Sequence, residues 1–486
     1  MIERDRTAIR RVGYSRPVRS AIDDRVIEPD NEVFDYGCGH GDDLRHLGED
    51  GITAFGWDPV HRPDEMHRSA DVVNLGYVVN VVENPMERLA VLRSAWQLAR
   101  GVLVVAARLK TESDTEGFRE FEDGWVTRLN TFQKFYEQQE LRDWIADGLG
   151  EYPVAACPGV FYVFRDGERR ERFLASRYSR RLAVPRIRLS DRLFEEHSEL
   201  LQPLISFFAD RGRLPERDEL SAGADLCAVF GSLRKAFQIV RRASGATDWA
   251  ALEAERKTDL LVYLALGRFP RRPKFSVLPV VLQRDVRAHF GTYKRGCDTA
   301  DELLFQSGKP DLIDKACAAA KIGKLMPTAL YVHVSGLALL PPLLRIYEGC
   351  ARVLSGSFDG TTIIKLRRNE PKVSYLCYPD FDADPHPALQ NSLRVDLRTF
   401  HLKVRDFHNA ENPPILHRKE LFVDADYLHR DAFASLTRTE EAAGLFSDPA
   451  RIGTRQAWEE LLRTFAVGLD GHTLISLNNS NSATNT

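Results

Sequence analysis

The seven cysteines of this 486-residue chain are scattered, with no C-x-x-C pair among them. That spacing excludes a disulfide framework and a structural zinc site, and it suits a reducing, cytoplasmic setting. No apolar run is long enough to span a membrane. The opening Met1-Ile2-Glu3-Arg4-Asp5-Arg6 is charged and has no apolar stretch behind it, unlike a secretory signal. The formal net charge is only −3, so global charge predicts no nucleic-acid partner and leaves that question to local patches. No Walker loop, Ser-His-Asp order or zinc spacing stands out. What is present, 43% hydrophobic and 28% charged residues over 486 positions, is ordinary for a globular chain of two or three domains.

The stretch with the most chemistry is Val33-Phe34-Asp35-Tyr36-Gly37-Cys38-Gly39-His40-Gly41-Asp42-Asp43. An apolar strand runs into an acid, glycines fall on alternate positions, and a helix begins, with Leu44 and Leu47 on its apolar side and Asp42 as its expected cap. Glycines there let the backbone approach a ligand closely. A dinucleotide site wants G-x-G-x-x-G with a pyrophosphate on the helix start. Here Asp42 and Asp43 would repel that pyrophosphate. The order acid-x-G-x-G-x-G resembles motif I of class I S-adenosylmethionine (SAM) methyltransferases, whose ligand is a sulfonium with an amino acid tail.

The following strands extend that pattern. Thr53 to Asp58 reads as a second strand ending in an acid about 20 residues past the turn, placed to accept ribose hydroxyls. Ala70 to Val82 reads as a buried strand carrying Asn74, Leu75 and Tyr77. Little chain separates it from Asp58, so the usual third strand is missing or very short. Asn84-Pro85 starts a helix with Leu89, Leu92 and Trp96 on one face, and Val102 to Ala107 is the next strand. Alternation of this kind implies a parallel sheet with crossover helices. Residues 108–131 are a long polar insertion placed to lie over the site, then a helix carries Leu141, Trp144 and Ile145. Pro153 to Cys157 and Val160 to Phe164 form a hairpin that ends the sheet. For residues 1–30 two readings stand: a lead-in helix on one sheet edge, or an arm that helps to close the site.

Beyond residue 166 the pattern is mostly helical. Residues 165–192 hold ten arginines against four acids, either a solvated helix or a phosphate-contacting face. Leu200 to Phe208 and Leu260 to Leu264 are amphipathic. Leu330 to Leu344 is apolar with Pro341-Pro342 inside it, expected as a buried helix and a bend, with His333 as a packed core residue. Thr361 to Arg367 and Pro371 to Tyr378 read as a strand hairpin, and Asn478 to Thr486 is a polar, disordered tail.

Two constellations compete for the chemistry. Asn412-Pro413-Pro414-Ile415 is like the (D/N/S)-P-P-(Y/F) tetrad of amino-methylating DNA enzymes, but it lies far downstream of motif I and ends in Ile415. A rigid turn is the other reading. Asp380, Asp382, Asp384 and His386 are oxygen and nitrogen donors of a kind that bind a hard cation. Pro379-Asp380 could also begin a PD-(D/E)xK nuclease core, yet no acid-x-Lys follows at suitable spacing, and no metal ligands are assigned.

Over nearly its whole length the chain resembles a bacterial family of DNA phosphorothioation-associated methyltransferases. The resemblance is carried by Asp35 to Asp43, Gly56-Trp57-Asp58-Pro59, Val73 to Tyr77, Thr131 to Tyr136 and Pro158 to Arg165. It continues in Tyr347 to Arg352, Tyr378-Pro379-Asp380-Phe381 and Asn412 to Glu420. It implies SAM as cofactor, and DNA, phosphorothioated or not, and phosphorothioation-system proteins as partners. The expected fold class is α/β: a Rossmann-like class I methyltransferase domain over residues 1–166, an arginine-rich linker and helical region over 167–355, an α+β region over 356–477 and the tail. Cofactor-binding residues would be Asp35, Gly37, Cys38, Gly39, Gly41, Asp58, Asn74 and Leu75, with Asn74 and Tyr77 as catalytic candidates. Two alternatives stay open: a non-catalytic, nucleic-acid-binding accessory protein with a SAM fold, and a metal-dependent nuclease or effector in the C-terminal part.

Overall fold

The computed structural model describes residues 2–112, 115–178, 194, 196–244, 248–269 and 271–477. They divide into two compact units: residues up to Arg165 together with those from Gly308 onward, and the segment Asp166–Ser307 between them.

The first unit opens with α1 (Arg16–Asp23), β1 (Glu32–Tyr36), α2 (Asp42–Glu49), β2 (Thr53–Trp57), β3 (Ala70–Gly76), α3 (Pro85–Leu98) and β4 (Ala99–Ala106). After β4 come β5 (Arg119–Phe121), β6 (Gly124–Val126) and β7 (Phe132–Gln133), which pair in a small sheet of their own. Then follow α4 (Gln138–Leu149), β8 (Val154–Cys157) and β9 (Val160–Phe164). The main sheet has the order β2-β1-β3-β4-β9-β8. β1 to β4 are parallel, and β9 runs antiparallel to both its neighbours. This is a Rossmann-like sheet with an antiparallel end, as the alternation implied, and β2 is an edge because no strand lies between Asp58 and β3 among the described residues.

Central positions of this sheet are buried on both faces, so Phe34, Val73, Leu75, Leu103, Val105, Phe161 and Val163 form a continuous core. The expected cap of α3 is present, with Asn84 Oδ1 accepting from the amides of Met86 (2.9 Å) and Glu87 (3.2 Å). Arg88 on this helix is buried and holds the insertion down. Its guanidinium donates to Val82 O and pairs with Asp123 at 2.7 Å. With Lys134, that cation draws the Asp123 carboxyl down to about 2. The helix α1 does not cover a sheet edge. Its buried side, Pro17, Val18, Ser20 and Ala21, packs on a sheet face against β3, β4 and β8.

The second unit is helical: α5 (Gly167–Tyr178), α6 (Ser198–Arg211), α7 (Gly223–Phe230), α8 (Leu233–Ala243), α9 (Trp249–Leu266), α10 (Val280–Phe290) and α11 (Tyr293–Gln306). Its core stacks Phe208 on Phe237 at 4.4 Å with Trp249 edge-on. Arg180, Arg181, Arg186 and Arg188 of the basic segment lie outside the described residues, as does the tail after Leu477.

The chain then returns to the first unit with α12 (Pro310–Ala319), β10 (Lys324–Met326), β11 (Ala329–His333), α13 (Pro342–Ser355), β12 (Ile363–Arg367), β13 (Lys372–Cys377), β14 (Asn391–Asp396) and β15 (Leu402–Asp406). The six strands pair antiparallel in chain order. Leu330 to Leu344 is thus a strand and a 3-10 turn before it is a helix. A short apolar run has no period to separate strand from helix, and Pro342 starts the helix at its first turn. The hairpin of β12 and β13 is as read. Its turn is clamped by Tyr347 of α13, whose hydroxyl lies within hydrogen-bond distance of three carbonyls, Arg367 O, Glu370 O and Lys372 O, and donates its one proton among them. His333 is a packed core residue, its ring 4.7 Å from that of Phe381. Finally α14 (Arg430–Ala442), α15 (Arg455–Thr464) and a hairpin of β16 (Val467–Asp470) and β17 (Thr473–Ser476) close the chain. No helix among the described residues is long and apolar enough to cross a membrane.

Candidate functional site

The chain leaves β1 for β2 on one side and reaches β3 on the other, so the sheet reverses direction between β1 and β3. In an open α/β sheet a ligand crevice forms outside the strand ends at such a reversal. The residues found there are the ones the sequence singles out. Asp35 and Asn74 sit in register on the two strands, and Asn74 Nδ2 donates to Asp35 Oδ1 at 2.8 Å. Both side chains are buried, and Asn74 Oδ1 has no partner. Burial, reinforced by the nearby Asp43, pushes the Asp35 carboxyl up to about 7.

The glycine turn hangs on the end of β2. Gly37 N and Cys38 N both donate to Trp57 O, and Gly39 N donates to Asp58 Oδ2 at 3.0 Å. Asp58 Oδ1 accepts from the amides of Val60 and His61. The ribose candidate therefore also fixes the shape of the turn. Gly37 has φ +85°, and a Cβ there would lie 2.4 Å from Val78 Cγ2, so only glycine fits. Cys38 lies in the turn half-buried, its thiol pushed up to about 12 by burial, which makes it a poor nucleophile. Leu75 points the other way, into the hydrophobic core. Tyr77 follows β3 in a left-handed conformation (φ 61°), and the Arg11 guanidinium lies 5.8 Å from its ring centre.

Two acids take a role that the sequence did not show. Gly41, not Asp42, is the N-cap of α2. Asp42 Oδ2 accepts the Arg11 amide at 2.7 Å, and Asp43 Oδ1 accepts the Ser15 amide at 2.7 Å. The segment before α1 is thus an arm strapped over the glycine turn. Ile9 and Arg11 line the site with Asp35, Gly37, Cys38 and Asn74, leaving a cavity of about 20 Å³.

Among the described residues no hydrogen bond or ion pair joins the downstream motifs to this cluster. Asn412 Oδ1 accepts the Gln456 amide at 3.0 Å, and Ile415 packs with Leu445, Trp458 and Leu461. Asp382 accepts the Tyr427 hydroxyl, and Asp384 pairs with Arg455. Among the described residues no three His, Cys, Asp or Glu side chains are grouped to hold an ion. His386 instead turns inward to Glu440, Nε2 to Oε1 2.6 Å, with both groups buried. Lys419 donates to Phe381 O and Asp384 O, each at 2.6 Å. The strings Tyr378–Phe381 and Asn412–Glu420 thus share one buried polar knot.

Burial pushes Glu440 up to about 8 and His386 down to about 4, so the pair is a neutral carboxylic acid donating to a neutral imidazole. The folded pair holds one proton from about pH 4 to 8. In the unfolded chain, with ordinary values near 4.3 and 6.5, that proton is lost as pH rises above about 6.5. Stability is therefore lost from about pH 6.5 to 8. Thermal melts at pH 5.5 and 8 should show a lower midpoint at pH 8. Glu440→Gln, which keeps a donor to His386, should shrink that difference; an unchanged difference would remove the pair from the pH response.

No protein-family model matches the chain, and no curated protein matches it. Among solved structures it is similar to the 1,6-didemethyltoxoflavin-N1-methyltransferase of Burkholderia thailandensis with bound 1,6-didemethyltoxoflavin and S-adenosylhomocysteine (17% identity, TM-score 0.25). That match covers 31% of this chain and 76% of the other. The sugar N-methyltransferase KedS8 of Streptoalloteichus sp ATCC 53650 is similar at 16% identity and TM-score 0.25, over 31% and 86%. The magnesium protoporphyrin IX methyltransferase of Synechocystis PCC 6803 with bound SAM is similar at 14% identity and TM-score 0.23, over 31% and 76%. Each match spans less than a third of this chain, and the reading of the site rests on the residues above.

Proposed function

We propose that the first unit is a SAM-dependent methyltransferase whose cofactor site is the cluster of Asp35, Asn74 and the glycine turn. The observation that carries this is the buried, unpartnered Asn74 Oδ1 beside the buried Asp35 carboxyl at the reversal point of the sheet. Two acceptors there suit the ammonium group of an amino acid tail, and they do not suit a phosphate. Asp58, at the end of β2, is the acceptor for the ribose hydroxyls, and Gly37 and Gly39 let the backbone come close. When bound, SAM supplies an electrophilic methyl group for direct displacement. The chain's own contribution is to hold donor and acceptor in line and to exclude water. A nucleoside ligand needs several hundred Å³, so Ile9 and Arg11 of the arm move aside on binding and can close behind it.

The acceptor on this reading is a nucleic acid, in keeping with the family that the chain resembles and with its link to phosphorothioated DNA. Asn74 and Tyr77 border the space where it would meet the methyl group.

Calorimetric titration with SAM, with NADH as the contrasting ligand, tests the site. SAM should bind and NADH should not. Asp58→Ala should weaken SAM binding roughly 10- to 100-fold, the worth of a charge-assisted hydrogen bond or two. Unchanged affinity would remove Asp58 from the site. A folded wild-type chain that does not bind SAM would replace this reading with the accessory-protein one. Transfer of labelled methyl from SAM to modified and unmodified DNA then separates an enzyme from a protein that only senses the cofactor.

A further inference from the structure

The outer face of the C-terminal sheet carries a trough of about 370 Å³ that none of the chemistry above uses. Its composition follows from the pairing. Tyr331, Lys365, Ser374, Arg394 and Lys403 lie side by side in one cross-strand row from β11 to β15. Two residues along, Ser392 faces Arg405 in the next row. The alternate positions, among them Ile364, Val373, Leu393 and Val395, face the core. Serines therefore floor the trough and long cations wall it.

Three features set this face apart from an ordinary solvated one. Arg394 and Lys403 are directly opposite each other on neighbouring strands, both exposed, an arrangement in which like charges repel. Among the described residues, Lys365, Arg394, Lys403 and Arg405 have no acidic partner, whereas Arg367 and Lys372 share Glu370. The basic row also spans β12 to β15, about 14 Å at the usual strand spacing. That is a length over which a duplex presents several phosphates, at one charge per ~1.7 Å of axis.

We propose that this trough binds the phosphate backbone of a nucleic acid, with Lys365, Arg394, Lys403 and Arg405 neutralising phosphates and Ser374 and Ser392 offering hydroxyl donors to their oxygens. The anion relieves the Arg394–Lys403 repulsion, which is why the fold tolerates that pair. Leu376, Tyr378, Leu389 and Phe407 also line the trough, but the cations without an acidic partner lie in rows across the strands, and a line of charge suits a strand-shaped polyanion. Tyr331 is partly covered by Lys365, whose Nζ lies 4.9 Å from the ring centre, so stacking on bases is limited and the contact is to the backbone, independent of sequence. The trough offers a seat for the acceptor of the proposed methyl transfer, but the argument for it does not depend on SAM.

The test is anisotropy with a labelled 24-base-pair duplex and its single strand, between 50 and 200 mM salt, on the full chain. Wild type should bind with a log–log salt slope near −3.6, about 0.9 for each of four phosphates. The triple variant Arg394→Glu, Lys403→Glu, Arg405→Glu should lose tenfold or more in affinity and flatten the slope by roughly 3. Its melting profile and SAM titration should match wild type, which keeps a folding failure, or a failure of the SAM reading, distinct from loss of the trough. A control with the same charge change on α8 and its first turn, Arg234→Glu, Arg241→Glu, Arg242→Glu, should keep most of the binding. Tighter binding of the single strand than of the duplex would support the trough and fix its preferred form. Equal loss in the two variants, unchanged binding in the first, or binding of anionic-lipid vesicles with no binding of either oligonucleotide would overturn the proposal.

Discussion

Asp35→Asn is expected to abolish measurable SAM binding while leaving the fold intact or slightly more stable. The substitution keeps the shape of the side chain and an acceptor for Asn74 Nδ2, now 2.8 Å from Asp35 Oδ1. It removes the carboxylate, a buried charge close to another buried acid, Asp43, that is held up to about 7 by these two surroundings. The sign follows from that value. A carboxyl raised from about 3.9 to 7 makes the folded state progressively less favourable as pH rises through this window. Melts of wild type and variant should therefore agree near pH 4 and diverge in favour of the variant near pH 8. Binding should move the opposite way. An ammonium paired with a buried carboxylate loses roughly 3–5 kcal/mol when the charge is removed, a hundredfold or more in affinity. For wild type, affinity should rise about fivefold from pH 6 to 7 as Asp35 ionises, and fall again above about pH 8, where an α-amino group deprotonates. The variant should show no acid limb. Calorimetry at four pH values decides it: SAM affinity unchanged in Asp35→Asn, or a flat wild-type profile below pH 7, would take Asp35 out of the site.

The strand ends of this site were legible because their signals are local. An apolar pair running into Asp35, alternate glycines, and an acid closing β2 each fall within a few residues, and the short chain between Asp58 and Ala70 announces the missing strand. What was not legible depends on partners far away in the sequence. Asp42 looked like a helix cap because capping is a neighbour relation. Its actual partner is an amide 31 residues earlier, in an arm with no pattern of its own. The basic trough is of the same kind. Lys365-x-Arg367 and Lys403-x-Arg405 have the two-residue period of a strand, but only the register places Arg394 against Lys403 and both on the face away from the core. The buried knot of His386, Glu440 and Lys419 joins residues more than 50 apart, as the pair of His386 and Glu440 shows. The sequence offered its parts as possible metal ligands and a nuclease signature because acids and a histidine in a row look alike until their partners are known.

Gly356→Ala should give the largest loss of stability of any single methyl added to the first unit, and its cause lies in how the C-terminal sheet is attached. α13 ends at Ser355, and the chain must turn at once to run along β8. Gly356 takes φ +73° and ψ −164°, a region open essentially to glycine, where a side chain costs about 1–3 kcal/mol. Its missing Cβ also makes room for the backbone. A Cβ there would sit 2.4 Å from the carbonyl of Ala156, and the next amide, Ser357 N, donates to that same oxygen at 2.7 Å. The neighbouring contact is Gln138, which donates to Leu354 O at 3.1 Å and accepts from the Gly159 amide at 2.8 Å, joining α4, the β8–β9 turn and the end of α13. An alanine therefore imposes backbone strain and pushes α13 off β8, breaking hydrogen bonds worth roughly 0.5–1.5 kcal/mol each. The sum is about 3–5 kcal/mol, a large share of the 5–15 kcal/mol of an ordinary domain. Denaturant unfolding should show an earlier transition, or a new first transition in which the C-terminal sheet detaches while β1 to β4 remain paired. Ser357→Ala, which keeps the amide and the backbone turn, should unfold like wild type. If Gly356→Ala were as stable as wild type, β8 and α13 would not be the seam that joins the two halves of this unit.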